Sequence, residues 1–119
     1  MTWTYHQKSG DFLHDGAFEG TGYSGTGIGR NNPGAQIVPN TGPIPQGAYT
    51  IGPQYDHPVL GPCVMNLDPK EGTQTFERDF FRIHGDNARH DASHGCVILG
   101  PSIRHLVAGS GDTQLEVLP

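Results

Sequence analysis

Apolar and polar residues alternate along this chain in short runs broken by turn residues, a period of two that predicts strands. Residues 3–7 alternate, Lys8-Ser9-Gly10-Asp11 has turn chemistry and residues 12–14 follow, so the first 15 residues predict a β-hairpin. Further strands are expected at 47–51, at 63–67, where Cys63, Met65 and Leu67 oppose Val64 and Asn66, and at 114–118. At 80–84, Phe81 and Ile83 point to the core, Phe80, Arg82 and His84 point the other way, and Gly85-Asp86 ends the strand. Residues 97–99 are apolar throughout. Gly100-Pro101-Ser102 then opens a short helix to about residue 108, with proline in its first turn and Gly109 as its stop. Ile103, Leu106 and Val107 give that helix an apolar face, expected to pack under the turn at Cys96. The glycine- and proline-rich stretch 16–47 has few packable residues and reads as a long surface loop. Its Gly-x-Gly spacings lack the Lys-Ser/Thr and the helix of a phosphate loop.

Composition narrows the picture. With 18 glycines, 10 prolines and 34% hydrophobic residues, the 119 residues suit one small mainly β domain, 1–119, with a single short helix. A net charge of -5 argues against a nucleic-acid partner, since phosphate binding needs a basic footprint. No apolar run approaches the roughly 20 residues of a membrane span, and the first residues lack the basic-then-apolar pattern of a Sec signal, so no membrane insertion is expected. The two cysteines, Cys63 and Cys96, leave a disulfide open, which would remove Cys96 from chemistry; Cys63 reads as a small buried hydrophobe.

The candidate chemistry is concentrated in residues 80–98, which hold three of the seven histidines and Cys96. A cysteine nucleophile needs a thiolate, a base or cation that lowers the thiol pKa, and N–H groups aimed at the developing oxyanion. His84, at a strand end facing a loop, is the expected base. His94 is two residues before Cys96, roughly 7 Å away in extended chain, beyond the range of proton transfer, and is expected to shape the turn with Ser93. Gly95 frees the backbone so that N–H groups between His94 and Cys96 converge as an oxyanion hole. A third group must orient His84, either Asp86 or a backbone carbonyl near Gly85. Arg82, on the His84 face, and Arg89, in the loop, are candidates to hold a substrate carboxylate. Tyr23 and Tyr49 are candidates to line the cleft, or else pack.

Ser93-His94-Gly95-Cys96 preceded by a strand-borne His84 resembles the YkuD-like L,D-transpeptidases, and Gly42-Pro43-Ile44-Pro45-Gln46-Gly47-Ala48-Tyr49 is similar to that superfamily's Thr-Pro-x-Gly-x-aromatic segment. The short gap from His84 to Ser93, Ile98 in place of the usual Arg or Asn, the Trp-Thr-Tyr opening, Gly-Tyr-Ser-Gly and His-Gly-Asp make the chain more similar to the short L,D-transpeptidase-like effectors of type VI secretion systems. The resemblance implies an acyl-cysteine enzyme without cofactor. It would act on peptidoglycan stem peptides in a target cell's periplasm, with a cognate immunity protein and the secretion machinery as partners. It also implies that stretch 16–47 walls the substrate cleft.

Three other readings compete. His84, His90, His94 and Cys96 are all zinc-ligand types, although no His-Glu-x-x-His pattern is present. A housekeeping crosslinking transpeptidase and a peptidoglycan-binding module without catalysis use the same motifs. His6, His14, His57 and His105 read as ordinary surface or turn histidines.

Overall fold

A computed structural model describes all residues, Met1–Pro119. The expected mainly β fold with one short helix is what forms. Ten strands make one extensively paired sheet: β1 (Trp3–His6), β2 (Asp11–His14), β3 (Ala17–Thr21), β4 (Tyr23–Ser24), β5 (Gly47–Ile51), β6 (Tyr55–His57), β7 (Gly61–Pro69), β8 (Arg82–His84), β9 (Val97–Ile98) and β10 (Gln114–Leu118). Helix α1 (Pro101–Gly109) lies between β9 and β10 in sequence and packs over β7. The strand order is β3-β2-β1-β10-β5-β7-β8-β9-β4, with β6 branching from β7.

The alternating runs become strands because one face of each is buried. Trp3 and Tyr5 on β1, Phe12 on β2, Tyr49 and Ile51 on β5, Met65 and Leu67 on β7, and Leu115 and Val117 on β10 all join a single core cluster. The final strand is internal, paired parallel to β1 and antiparallel to β5. Nine-residue β7 is the spine: it pairs with β6 near Val64, with β8 at Met65 and Asn66, and with β5 from Leu67 to Pro69.

Three expectations change. Within 16–47, β3 and β4 form where a loop was expected. Four of the five β3 residues are exposed because β3 is a sheet edge, so no apolar alternation marks it. The strand expected at 80–84 contracts to Arg82–His84 because Phe80 takes a left-handed φ of 61°, which breaks extended geometry. On α1 the buried or half-buried stripe is Ile103, Arg104, Val107 and Ala108, while Leu106 is exposed. Positions 103, 104, 107 and 108 share one helical face, and Leu106 projects away from it.

The rest of stretch 16–47 is held by polar ties. Fully buried Gln7, just past β1, donates through Nε2 to the Ile44 carbonyl at 2.9 Å and to Gln36 Oε1 at 3.1 Å, while its own Oε1 accepts from Gln46 at 3.1 Å. Tyr5 is the exception to such pairing: its hydroxyl is buried and has no hydrogen-bond partner. Removing an unpaired buried hydroxyl removes its desolvation penalty. Tyr5→Phe is therefore expected to raise stability by about 1 kcal/mol, read from urea unfolding; a loss of that size would reveal a partner for the hydroxyl.

Candidate active site

Two short parallel strands set the site. β8 and β9 pair with Ile83 beside Val97 and His84 beside Ile98. Ile83 and Val97 enter the core. Carried one residue back, the register brings Cys96 level with Arg82, so Arg82, His84 and Cys96 leave on the opposite face. Same-face diagonal neighbours on adjacent strands lie about 7–8 Å apart, within reach of each other's side chains.

His84 is almost fully buried, at 2% exposure. Its Nδ1 lies 2.8 Å from the Gly85 carbonyl oxygen. A carbonyl only accepts, so Nδ1 carries the proton and Nε2 keeps a lone pair, the tautomer a general base needs. Burial pushes the His84 imidazole below its ordinary value. The Gly85 bond opposes that shift, and the Arg104 and Arg82 charges add to it.

Cys96 and Cys63 are both free thiols. The Cys96 sulfur is half-buried, 3.6 Å from the Phe80 carbonyl oxygen, and no hydrogen bond joins it to His84. Burial pushes its thiol up; the Arg82 backbone N–H and the charges of Arg82 and Arg78 act against burial without overcoming it. This reverses the expectation of a thiol made acidic by its histidine. With the thiol raised and the imidazole lowered, the resting pair is neutral thiol and neutral imidazole, and the proton moves as the sulfur attacks.

Ser93 is fully buried and holds the turn. Its Oγ accepts from the N–H groups of Gly25 at 2.9 Å and Gly95 at 3.2 Å and donates to the Cys96 carbonyl at 2.6 Å. The Gly95 N–H is thus engaged, while those of His94 and Cys96 bond to no protein group. Gly95 has a φ of 130°, and a Cβ there would meet Arg78 Nη2 at 2.6 Å, so glycine is required for conformation and for space. Ser93→Ala removes all three bonds. The expected outcome is a loss of about 1–3 kcal/mol in unfolding experiments, with turnover down roughly a hundredfold as the turn relaxes. Wild-type stability would show that the turn stands without this hydroxyl.

Other sequence candidates take different places. Asp86 does not reach His84: it accepts from the Tyr23 hydroxyl at 2.6 Å and the Asn87 N–H at 2.8 Å, and pairs with His90 at 2.7 Å. Tyr23 also accepts the Ala92 N–H at 2.9 Å, its ring lies beneath Arg30, and its phenol is pushed up to about 12, chiefly by burial. It braces the 86–92 loop and, with Gly85, Asp86, Ile98 and Arg104, lines a cavity of about 520 Å³. Tyr49 is fully buried, edge-on to Phe81, with its hydroxyl on the Pro45 carbonyl at 2.8 Å, so it is a core residue out of reach of a substrate. His94 is exposed, with Nδ1 3.2 Å from the Asn40 carbonyl oxygen. Arg89 is exposed in the loop; Arg82 reaches the Tyr55 hydroxyl through Nε at 3.3 Å. The four zinc-type residues do not converge. The cluster that does is His14, Asp15 and Asp112, remote in the strand order, where His14 bonds Asp112 at 2.9 Å and stacks on Trp3.

Two cavities flank the Cys96 turn. One of about 460 Å³ is lined by Thr26, Val59, Leu60, His84, Asp86 and His94 among others. The other, about 390 Å³, is lined by Asp68, Arg78, Asp79, Phe80, Phe81 and Arg82 among others. Thr26, the Gly25 N–H on Ser93 and the Asn40 carbonyl beside His94 bring the 25–46 loop against the site. Arg78 was not anticipated. It lies in a segment with no periodicity, and only its three bonds to distant carbonyls reveal it.

The sequence model of a known family, the Tlde1 domain, matches residues 19–111, which include the whole site and most of the sheet. No curated protein matches the chain.

Proposed function

Because the chain belongs to the Tlde1 domain family, a family of type VI secretion effector domains, we propose that it is a peptidoglycan-modifying cysteine enzyme. Cys96 attacks the carbonyl between the third residue of a stem tetrapeptide and its terminal D-alanine. The observation that carries this reading is the His84 tautomer: Nδ1 is fixed on the Gly85 carbonyl and Nε2 is free on the face shared with Cys96.

As the sulfur bonds to the carbonyl carbon, its proton passes to His84 Nε2, and the oxyanion is met by the His94 and Cys96 N–H groups. The tetrahedral intermediate collapses, the C–N bond breaks, and His84 returns the proton to the departing D-alanine amine. Water then attacks the thioester with His84 again as base, giving L,D-carboxypeptidase activity, or a D-amino acid attacks and gives exchange. Arg82, beside the sulfur, is placed to hold a substrate carboxylate. Delivery into a neighbour's periplasm and an immunity protein in the producer follow from the family. Incubating purified tetrapeptide muropeptides with the protein, with and without a D-amino acid, and weighing the products by mass spectrometry tests the reading. Tripeptide or exchanged product is expected; unchanged tetrapeptide in both reactions overturns it.

A further inference from the structure

Arg78 stands out by charge balance. It is buried, at 9% exposure, yet no carboxylate lies within ion-pair distance. Its guanidinium donates to the carbonyl oxygens of Gln36, Pro43 (2.8 Å) and Gly42 (2.9 Å), packs against the Gly95 α-carbon and lies 5.6 Å from the centre of the Phe81 ring. Carbonyl dipoles solvate a buried cation but do not neutralise it, and such a charge favours a nearby group that can become an anion.

The surrounding groups leave one candidate. Asp68 and Asp79 line the adjoining cavity without pairing to it. The Tyr49 phenol, pushed up by burial, is neutral and donates to Pro45. From β8, His84 is held neutral, and Arg82 brings a second positive charge at the sulfur. The remaining group able to take up negative charge is Cys96, one residue beyond the glycine on which Arg78 rests.

We propose that Arg78 is the positioning cation of this site: fixed by the 36–43 carbonyls and laid against Gly95, it supplies a permanent positive field in which the Cys96 sulfur ionises during attack. It also ties the loop to the turn, so one side chain sets both sulfur electrostatics and turn geometry. The inference rests on Cys96 being the nucleophile, but its test does not depend on the substrate.

The rate of Cys96 alkylation by iodoacetamide is measured against pH for the full chain, with the modified cysteine located by peptide mass spectrometry. Wild type is compared with Arg78→Gln, which keeps donors but loses the charge, and with Arg78→Lys, which keeps the charge; thermal melts report the fold. The expected result is a midpoint about one unit or more higher in Arg78→Gln and nearly unmoved in Arg78→Lys. An unmoved midpoint in folded Arg78→Gln overturns the proposal and leaves the cysteine reading standing, because a merely structural role lowers the melt without moving the profile. Should Arg78→Gln fail to fold, Arg78→Lys decides: a wild-type midpoint supports the field, and a rise of about one unit overturns it. Wild-type Cys96 that resists alkylation at every pH until denatured overturns the cysteine reading itself, and this inference with it.

Discussion

Cys96→Ala is expected to reduce D-alanine release from muropeptides by a factor on the order of 10⁴ or more, because no other nucleophile stands on the His84 face of the β8–β9 pair. The fold should be retained. The sulfur is half-buried at a turn, where it makes a long thiol hydrogen bond to the Phe80 carbonyl, and the turn is held by Ser93 and by the pairing of Val97 with Ile83. The thermal unfolding midpoint should therefore stay within a few degrees of wild type, a shift of about 1 kcal/mol or less. Turnover persisting in the folded variant would remove Cys96 from the mechanism.

The second large effect is at His84, and its pH dependence is specific. The reactive form is neutral imidazole beside neutral thiol, so kcat/KM should rise with pH through the His84 pKa, which burial holds below the ordinary 6.5, and then stay level at least to neutrality. An acid limb centred above 7, or a bell with its acid limb at about 4 and its basic limb above the ordinary imidazole value, as an imidazolium–thiolate pair would give, contradicts the neutral pair. His84→Ala should lower turnover by roughly 10²–10⁴ and abolish that limb. It should not raise the thiol pKa, since a neutral imidazole lends the sulfur no charge. His94→Ala, at an exposed position bonded to Asn40, should be milder on both counts. The same residue leaves a mark on stability. A base whose folded pKa is depressed binds fewer protons folded than unfolded, so its contribution is intact above 6.5 and is lost as pH falls from there through the folded value.

Much of the sheet is legible in the sequence because burial on one face writes a period of two into β1, β2, β5 and β10. Where that cause is missing the pattern is too: β3 is an exposed edge, and β9 is a two-residue strand buried on both faces. The position of His84 at a strand end follows from Phe81 and Ile83 on one side and Gly85 on the other. What holds the imidazole does not follow, because a backbone carbonyl is present at every residue and only three dimensions choose among them. Asp86 and Tyr23 do meet, but each serves the other and the 86–92 loop. Tyr49 reads equally as cleft or core in one dimension; its strand, paired on both sides, places it in the core. Arg78 is least legible of all, since its partners lie 35 to 42 residues away.

The position of β10 bears on how the chain reaches this state. Trp3 pairs with Leu115, and the two halves of the sheet, β3-β2-β1 on one side and β5 with its neighbours on the other, meet only through β10. Until the last strand inserts there are two open half-sheets, each with an unpaired edge, and no amount of local hairpin formation joins them. The joining contact spans nearly the whole chain and carries the largest loop-closure entropy. Assembly of this small domain is accordingly expected to be slow for its size, with its rate set by the docking of one late strand.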